Sequence, residues 1–494
     1  MGMMKFLLPA DLSGDAVLEL ERTCVAGGQD NMPFPTQILI ESGEMTVIRG
    51  IDESGCVFAP WEVNGSGRIM AGSATLMERP QPYHLLIELA RGKLNQIRGQ
   101  VSDWVMGGLQ VTESLAEQIH IATEAFVHAV TGVNGSENVA DAKKALAEGY
   151  RAADLLTQTY VSQVFQLRHE RQPTLDTALG CRLAASSLPK NPWLEDTFNS
   201  VCLPFSWDEI EPEEERYSWE AADAMVDWGR NSGLRLQGGP LLDFTGQHFP
   251  DWFWRRKRDL ATSCRLFCDF AETVIDRYRD HVRAWHITTA SNTSQLLTSG
   301  DEELLWLTVR TAEAVRQIDP TLEIILGISQ PWGEYLVGKE HTHSPFVFAD
   351  TLVRSGLKLA ALDLEFVMGV MPRGSYCRDL LDVSRLIDLY ALLGVPLHIT
   401  LGYPSSAGPD ALAAPDQTVA GGNWRGGFSP GIQADWGAAF AALALCKPSV
   451  KAVHWVHASD AEAHVFPHCG LIDAQGNTKP VLQNLRDLRK AHLK

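Results

Sequence analysis

The 494-residue sequence predicts an α/β protein: a closed (β/α)8 TIM barrel at the C-terminus, preceded by a small jelly-roll-like β-sandwich and a helical connector. Three observations lead there. Short apolar runs separated by Gly, Ser, Asn and Asp turns fill residues 1–80. The apolar spacing changes to steps of three and four at Tyr83. From residue 173 onward, strand-like and helix-like segments alternate to the C-terminus, as a barrel requires. An open doubly wound sheet is the rival, but no Gly-x-Gly-x-x-Gly turn follows the first strand of that segment.

The N-terminal strands are expected at Ala16–Cys24, Thr36–Ser42, Met45–Arg49, Cys56–Val63 and Arg68–Arg79, with turns at 52–55 and 64–67. The connector, residues 81–172, carries three helices. The first follows Tyr83, with Leu85, Leu86, Leu89, Leu94, Ile97 and Val101 on one face. The others run over Thr112–Val130 and Ser136–His169, with Ser136 as a cap and Val133–Glu137 as the link between them. Pro173 marks the boundary to the barrel, residues 173–494. Its strands are expected at Gly180–Ala185, Ser200–Phe205, Leu234–Leu242, Ala284–Thr289, Glu323–Ile328, Ala361–Val367, Pro396–Thr400 and Lys451–His457. Helices fall between and after them, at Glu220–Asn231, Arg255–Tyr278, Glu302–Ile318, Phe346–Ser355, Arg378–Leu393, Ile432–Cys446 and Val481–Ala491.

Composition limits the function. Hydrophobic residues make up 45% and charged residues 21%, as in an ordinary folded chain. A net charge of −19 argues against nucleic acid or anionic lipid as the main partner, since both need clustered cations. No run approaches the ~20 apolar residues of a membrane span. The stretch Phe6–Ala10 is shorter than a signal peptide's core and holds Pro9, so a cytoplasmic protein is expected. Nine scattered cysteines without a Cys-x-x-Cys pair read as small buried hydrophobes, and no cofactor is implied.

Motifs in the barrel segment add a resemblance. Phe198-Asn-Ser-Val, Trp207-Asp-Glu-Ile-Glu-Pro, Tyr217-Ser-Trp219, Pro250-Asp-Trp-Phe and Arg277-Tyr278 with Val282-Arg-Ala-Trp285 follow one another in order. Asp319-Pro320, Pro396-Leu-His-Ile-Thr400 and the terminal Gly470-Leu-Ile-Asp with Lys479-Pro480 complete the series. Over residues 178–494 this order and spacing resembles glycoside hydrolase family 10, the β-1,4-xylanase type. The resemblance implies a barrel that cleaves xylosidic bonds with retention, using two glutamates at the ends of strands four and seven. Retention needs those carboxyls ~5–5.5 Å apart.

The catalytic positions depart from the family. Where the acid/base belongs the sequence has Ala290, after Thr289, and where the nucleophile belongs it has Leu401. Both are expected at strand ends facing the barrel mouth. The family's sugar-gripping residues fall on Leu203, Pro204, Ser206 and Gly239, and near Val367 and Gly369. Trp207 and Trp455 keep the family's aromatic positions, so the resemblance makes them substrate-binding candidates. Trp424, in the Gly- and Pro-rich loop 407–431, is a third ring that a sugar could stack on.

Two functions follow. In one, the degenerate barrel binds or scaffolds without catalysis, with an oligo- or polysaccharide or a protein partner, the latter through the N-terminal or helical region. In the other, relocated acids hydrolyse glycosides, and Asp243, Glu365, Asp460 and Glu462 stand at or just past strand C-termini, where barrel active sites lie. No metal centre is expected from His286, His398, His454 and His457, because alternation sets the last two on opposite faces of a strand. The acidic run Asp208–Glu215 and the basic run Arg255–Arg258 read as solvated.

Overall fold

A computed structural model describes residues 2–28, 30–132, 135–184, 193–255, 259–296, 300–338 and 340–494. The N-terminal segment holds eight strands. These are β1 (Gly2–Leu7), β2 (Cys24–Gly27), β3 (Met32–Phe34), β4 (Thr36–Glu41), β5 (Glu44–Arg49), β6 (Gly55–Val63), β7 (Gly67–Leu76) and β8 (Tyr83–His84). They form two four-stranded sheets, in the orders β4-β5-β1-β8 and β3-β2-β6-β7. Met4, Phe6, Met45 and Val47 from one sheet and Val25, Val57, Ile69 and Ala71 from the other are buried in a common core.

One expected strand is replaced. Residues 16–22 are helical: a short helix, α1 (Gly14–Glu19), continues into a single tighter turn, Leu20–Arg22. The Ser13 hydroxyl caps α1 by accepting from the Ala16 amide at 3.2 Å. The alternating Ala16, Leu18 and Leu20 imitate a strand, but a capping serine decides such a short segment for helix. Only Cys24 onward joins a sheet.

Three helices follow: α2 (Leu85–Met106), α3 (Glu113–Thr131) and α4 (Gly135–Arg171). Thr112 caps α3 through the Leu115 amide. The Val133–Asn134 link and the side chain of Ser136 lie outside the described residues. Helix α2 buries Leu85, Leu86, Leu89, Leu94 and Ile97 along one stripe. It approaches β7 so closely that a Cβ on Gly92 would stand 2.1 Å from the Gly72 carbonyl oxygen. Only glycine fits there.

The barrel is closed. Its eight parallel strands are β9 (Ala178–Arg182), β10 (Ser200–Leu203), β11 (Arg235–Gly238), β13 (Ala284–Thr289), β14 (Glu323–Ile328), β15 (Ala361–Val367), β17 (Leu397–Gly402) and β19 (Val450–Trp455). The short β12 (Leu242–Asp243) extends the third strand beside β13, and β16 (Val370–Met371) pairs with β18 (Thr418–Val419) in the loops above. Closure comes from β19 pairing with β9 and from β11 pairing with β13. Helices are capped where the sequence supplies a cap: Asp259 before Leu260–Tyr278, Ser344 before Pro345–Arg354, Asp379 before Leu380–Ala391 and Ser429 before Pro430–Cys446. The long helix expected from Arg255 is instead a turn at Asp251–Arg255 and the separate helix from Leu260, and residues 256–258 of the basic run lie outside the described residues.

The N-terminal sheets dock on loops at the C-terminal end of the barrel. Strand β7 accepts and donates backbone hydrogen bonds: Met70 N to Cys377 O and Asn423 N to Arg68 O, both at 2.8 Å. Tyr376 donates to Glu19 at 2.8 Å and Ser344 to Asp30 at 2.6 Å. Buried Lys93 on α2 binds Asp379 at 3.0 Å, the residue that also caps the barrel helix Leu380–Ala391. A single hydrophobic core therefore runs from the sheets into the barrel. Replacing Gly92 by alanine should push α2 off β7 and lower unfolding stability by about 1–3 kcal/mol in denaturant titrations; an unchanged midpoint would contradict this contact.

Candidate functional site

The lumen of the barrel is polar, and one guanidinium organises it. Arg182, ending β9, donates from Nη2 to Asp363 Oδ2 at 2.7 Å and to Thr400 Oγ1 at 2.8 Å. Its Nη1 lies 3.6 Å from Glu365 Oε2. Thr400 in turn donates to Asp363 at 2.9 Å. Burial works against the charge on Asp363, but Arg182 beside it holds its carboxyl below the usual range. Glu365 accepts from Ser329 Oγ at 3.2 Å, and burial pushes its carboxyl up despite Arg373 and Arg182 nearby. Arg373, from the loop after β16, binds Asp243 Oδ2 at 2.7 Å.

Three histidines share the lumen. His286 Nδ1 is 3.9 Å from Asp363, and neither ring nitrogen has a hydrogen-bond partner. Gly327 makes room for it, since a Cβ there would come within 2.7 Å of Nε2. The His398 and His454 rings lie 5.9 Å apart, and His454 Nε2 is 3.4 Å from Ser200 Oγ. Burial lowers all three, His286 and His398 to about 4 and His454 to about 3.

The expected site residues are distributed differently. Ala290 sits just past β13, fully buried, with a left-handed φ of 56°. Leu401 does not face the mouth. It is in register with Phe366 and Trp455, and Trp455 packs on Trp436 and Gly437 of the outer helix Pro430–Cys446. Paired residues of parallel strands share a face, so Leu401 lies in the strand–helix layer. At that level β17 itself turns Thr400, not a carboxylate, into the lumen, in register with Glu365 of β15.

The tryptophans are not open platforms. Trp207, Trp424 and Trp455 are 1%, 3% and 2% exposed. Trp207 sits among Phe249, Trp252, Phe253 and Phe270 and donates to Glu211 at 2.8 Å. Trp455 donates to the Cys469 carbonyl at 2.6 Å. Trp424 meets the Phe440 ring edge-on, with Arg425 over its own ring. Aromatic positions at strand ends here pack the barrel to its helices. Glu211 is likewise buried, which removes it from the solvated acidic run.

Of the candidate acids, Asp243 and Glu365 flank Arg373. Asp460 is elsewhere, bound by Lys479 at 2.6 Å and His457 at 3.1 Å, and Glu462 is in the same loop. Strand β19 ends at Trp455, so His457 belongs to this loop and not to the opposite face of a strand. Sequence reading passed over Arg182, Asp363 and Arg373. The signal was present: Asp363 and Glu365 alternate in a strand otherwise made of Ala, Leu, Phe and Val, and buried carboxylates demand cations.

A second concavity lies outside the barrel. A cavity of about 660 Å³ separates β2, β6 and β7 from α2 and the barrel helix Leu380–Ala391. Phe58, Trp332, Lys93, Asn95, Arg378 and Arg385 are among its lining. Arg378 binds Glu334 at 3.1 Å and lies over the Phe58 and Trp332 rings, and its Nε has no partner.

Comparison with known proteins agrees with the barrel's character. The family model "Glycosyl hydrolase family 10" matches residues 170–292. An endo-1,4-beta-xylanase/feruloyl esterase of Xylanibacter ruminicola is 29% identical over 96 residues, 18% of this chain and 13% of that protein. Endo-1,4-beta-xylanase C of Paenibacillus barcinonensis is 28% identical over 122 residues, 22% of this chain and 11% of that one. The chain thus spans about an eighth of the length of these curated relatives. Among solved structures, xylanase 10B from Thermotoga petrophila in complex with xylobiose is similar over 65% of this chain and 95% of that chain, with 17% identity and a TM-score of 0.47. Native xylanase 10B from Thermotoga maritima matches with 16% identity, over 65% and 97% of the two chains and with the same TM-score. The barrel segment resembles family 10, and no membrane-length apolar helix occurs among the described residues.

Two measurements test this packing and charge arrangement. Trp455→Ala should cost about 3–5 kcal/mol of unfolding stability as a cavity substitution; a loss under 1 kcal/mol would mean the ring is not core. The lumen histidines set an acid limit. Unfolded histidine titrates near 6.5, so between about pH 6.5 and 4 the unfolded chain takes up protons that the folded lumen excludes. Stability therefore falls as pH drops through that window, by about 1.4 kcal/mol per pH unit for each histidine. Denaturant midpoints at pH 7, 6 and 5 should decline steeply, and His286→Leu should flatten the decline.

Proposed function

We propose that this protein is a xylanase-like barrel that no longer hydrolyses glycosides and works as a binding or scaffolding protein. The observation that carries the reading is the state of the lumen at the two strand ends where the resemblance expects glutamates. One end carries Ala290 and the other presents Thr400, while Asp363 and Asp243 are tied to Arg182 and Arg373. A retaining reaction needs one carboxyl to protonate the leaving oxygen and another to attack the sugar. Carboxylates clasped by guanidinium groups are poor at both, because the cation stabilises the charge that attack must neutralise and keeps the group ionised, with no proton to donate.

Binding, on this reading, takes place in the cleft between the N-terminal sheets and the barrel. Its volume lies within the ~300–1,000 Å³ range of ligand sites, and sites favour such boundaries. The lining offers the donors Lys93, Asn95, Arg378 and Arg385 and the carboxylate of Asp382 beside two aromatic rings, a mixture suited to an oligosaccharide's hydroxyls and apolar faces.

One observation favours a hydrolytic alternative. Glu365 has its carboxyl pushed up by burial, as a general acid needs, and Asp243 reaches the same Arg373. Aryl-xyloside assays separate the two readings. The expected result is no turnover above background; rates of ~1–10³ s⁻¹, abolished by Glu365→Gln or Asp243→Asn, would establish hydrolysis by relocated acids. Calorimetric titration with xylotetraose should show binding that Arg385→Ala and Asn95→Ala weaken about fivefold or more. No binding would leave a scaffold without a sugar ligand.

A further inference from the structure

We infer that the loop following barrel strand eight holds one zinc-type divalent ion, bound by His457, Asp460 and His464, with Asp410 beside His464. The donor atoms of His457, Asp460 and His464 all lie within 4.8 Å of one another. His457 Nε2 is 3.1 Å from Asp460 Oδ1, and His464 Nε2 is 3.0 Å from Asp410 Oδ2. Neighbouring ligands that share an ion at about 2.0–2.2 Å stand about this far apart. The imidazole and carboxylate set suits zinc and its neighbours among the first-row metals, whereas calcium and magnesium prefer oxygen alone.

Hydrogen bonding behind the histidines supplies an independent argument. His464 Nδ1 lies 2.7 Å from the Glu462 carbonyl oxygen, which can only accept, so Nδ1 carries the proton. In the neutral ring Nε2 is then a lone pair, and it faces a carboxylate oxygen, another acceptor. His468 repeats the pattern. Its Nε2 lies 2.9 Å from the Gly408 carbonyl, and its Nδ1 lies 3.5 Å from Asp410 Oδ2. Two acceptors face each other stably only with a cation or an extra proton between them. An N–H held by a carbonyl, with the other nitrogen free, is how ligating histidines are oriented.

The surroundings fit an ion. The side chains of His464, Asp460 and Asp410 are 2%, 4% and 7% exposed. Lys479 binds the far oxygen of Asp460, together with Ser405 Oγ, while Oδ1 accepts from the Gly470 amide at 2.6 Å and faces His457. With neutral imidazoles the group then holds two carboxylates against one ammonium. The ion would tie together the parts of the last barrel loop that carry His457, Asp460 and His464.

The test uses the full chain, stripped with chelator and titrated with zinc alone, by calorimetry and by thermal melting. One ion per chain should bind, and zinc at 100 times Kd should raise Tm by several degrees. His464→Gln and the near-isosteric Asp410→Asn should each weaken binding by ~10-fold or more, while His120→Ala, an exposed histidine on α3, should leave it unchanged. Absence of a zinc-induced shift in the parent chain, or equal binding by Asp410→Asn, would overturn the inference and leave protonated imidazole–carboxylate pairs in its place. The parent titration decides even where a variant fails to fold.

Discussion

The ion pair between Arg182 and Asp363 is the constraint on which the barrel interior depends. It joins β9 to β15, across the lumen, at 2.7 Å. Both groups have left water, so their attraction and the Thr400 hydroxyl must offset desolvation. Truncating either partner strands a buried charge, typically a loss of ~3–5 kcal/mol. Once the pair is in place, the rest of the lumen follows. Glu365 sits within reach of the same guanidinium, the three histidines stay neutral around it, and Gly327 is needed because His286 occupies the space beside it. The lumen is thereby filled by an internal polar brace.

Much of the barrel was legible because its strands are buried on both faces. Runs such as Ala284–Thr289, Glu323–Ile328 and Ala361–Val367 stand as continuous segments, and the structure ends them at the same residues. What the sequence concealed was direction. A one-residue change of face moves Leu401 from the lumen to the helical layer and leaves Thr400 in its place, and nothing in a run of apolar and hydroxyl residues marks which face is which. Tryptophans were ambiguous for the same reason: Trp455 ends β19 and Trp207 opens the short helix after β10, but their rings point into helix packing. In the N-terminal segment, Ala16–Cys24 was misread because six residues are too few to separate a period of two from a period of three and a half.

The residues that pair across long distances were the hardest to see. Arg373 finds Asp243 from 130 positions away, and Lys93 finds Asp379 from 286. Local spacing carries no trace of such partners. Composition still gives a hint, since a charged residue inside an apolar strand implies a counter-charge somewhere in the fold.

Asp379 performs two tasks with its two oxygens. One caps the barrel helix Leu380–Ala391 and the other receives Lys93 from α2. The wall of the cleft and the helix that faces it are thereby clamped through a single carboxylate. Prising α2 away from the barrel would strand the buried Lys93 ammonium and strip Asp379 of its counter-charge. The two helices that line the cleft are consequently held at a set spacing by that buried contact.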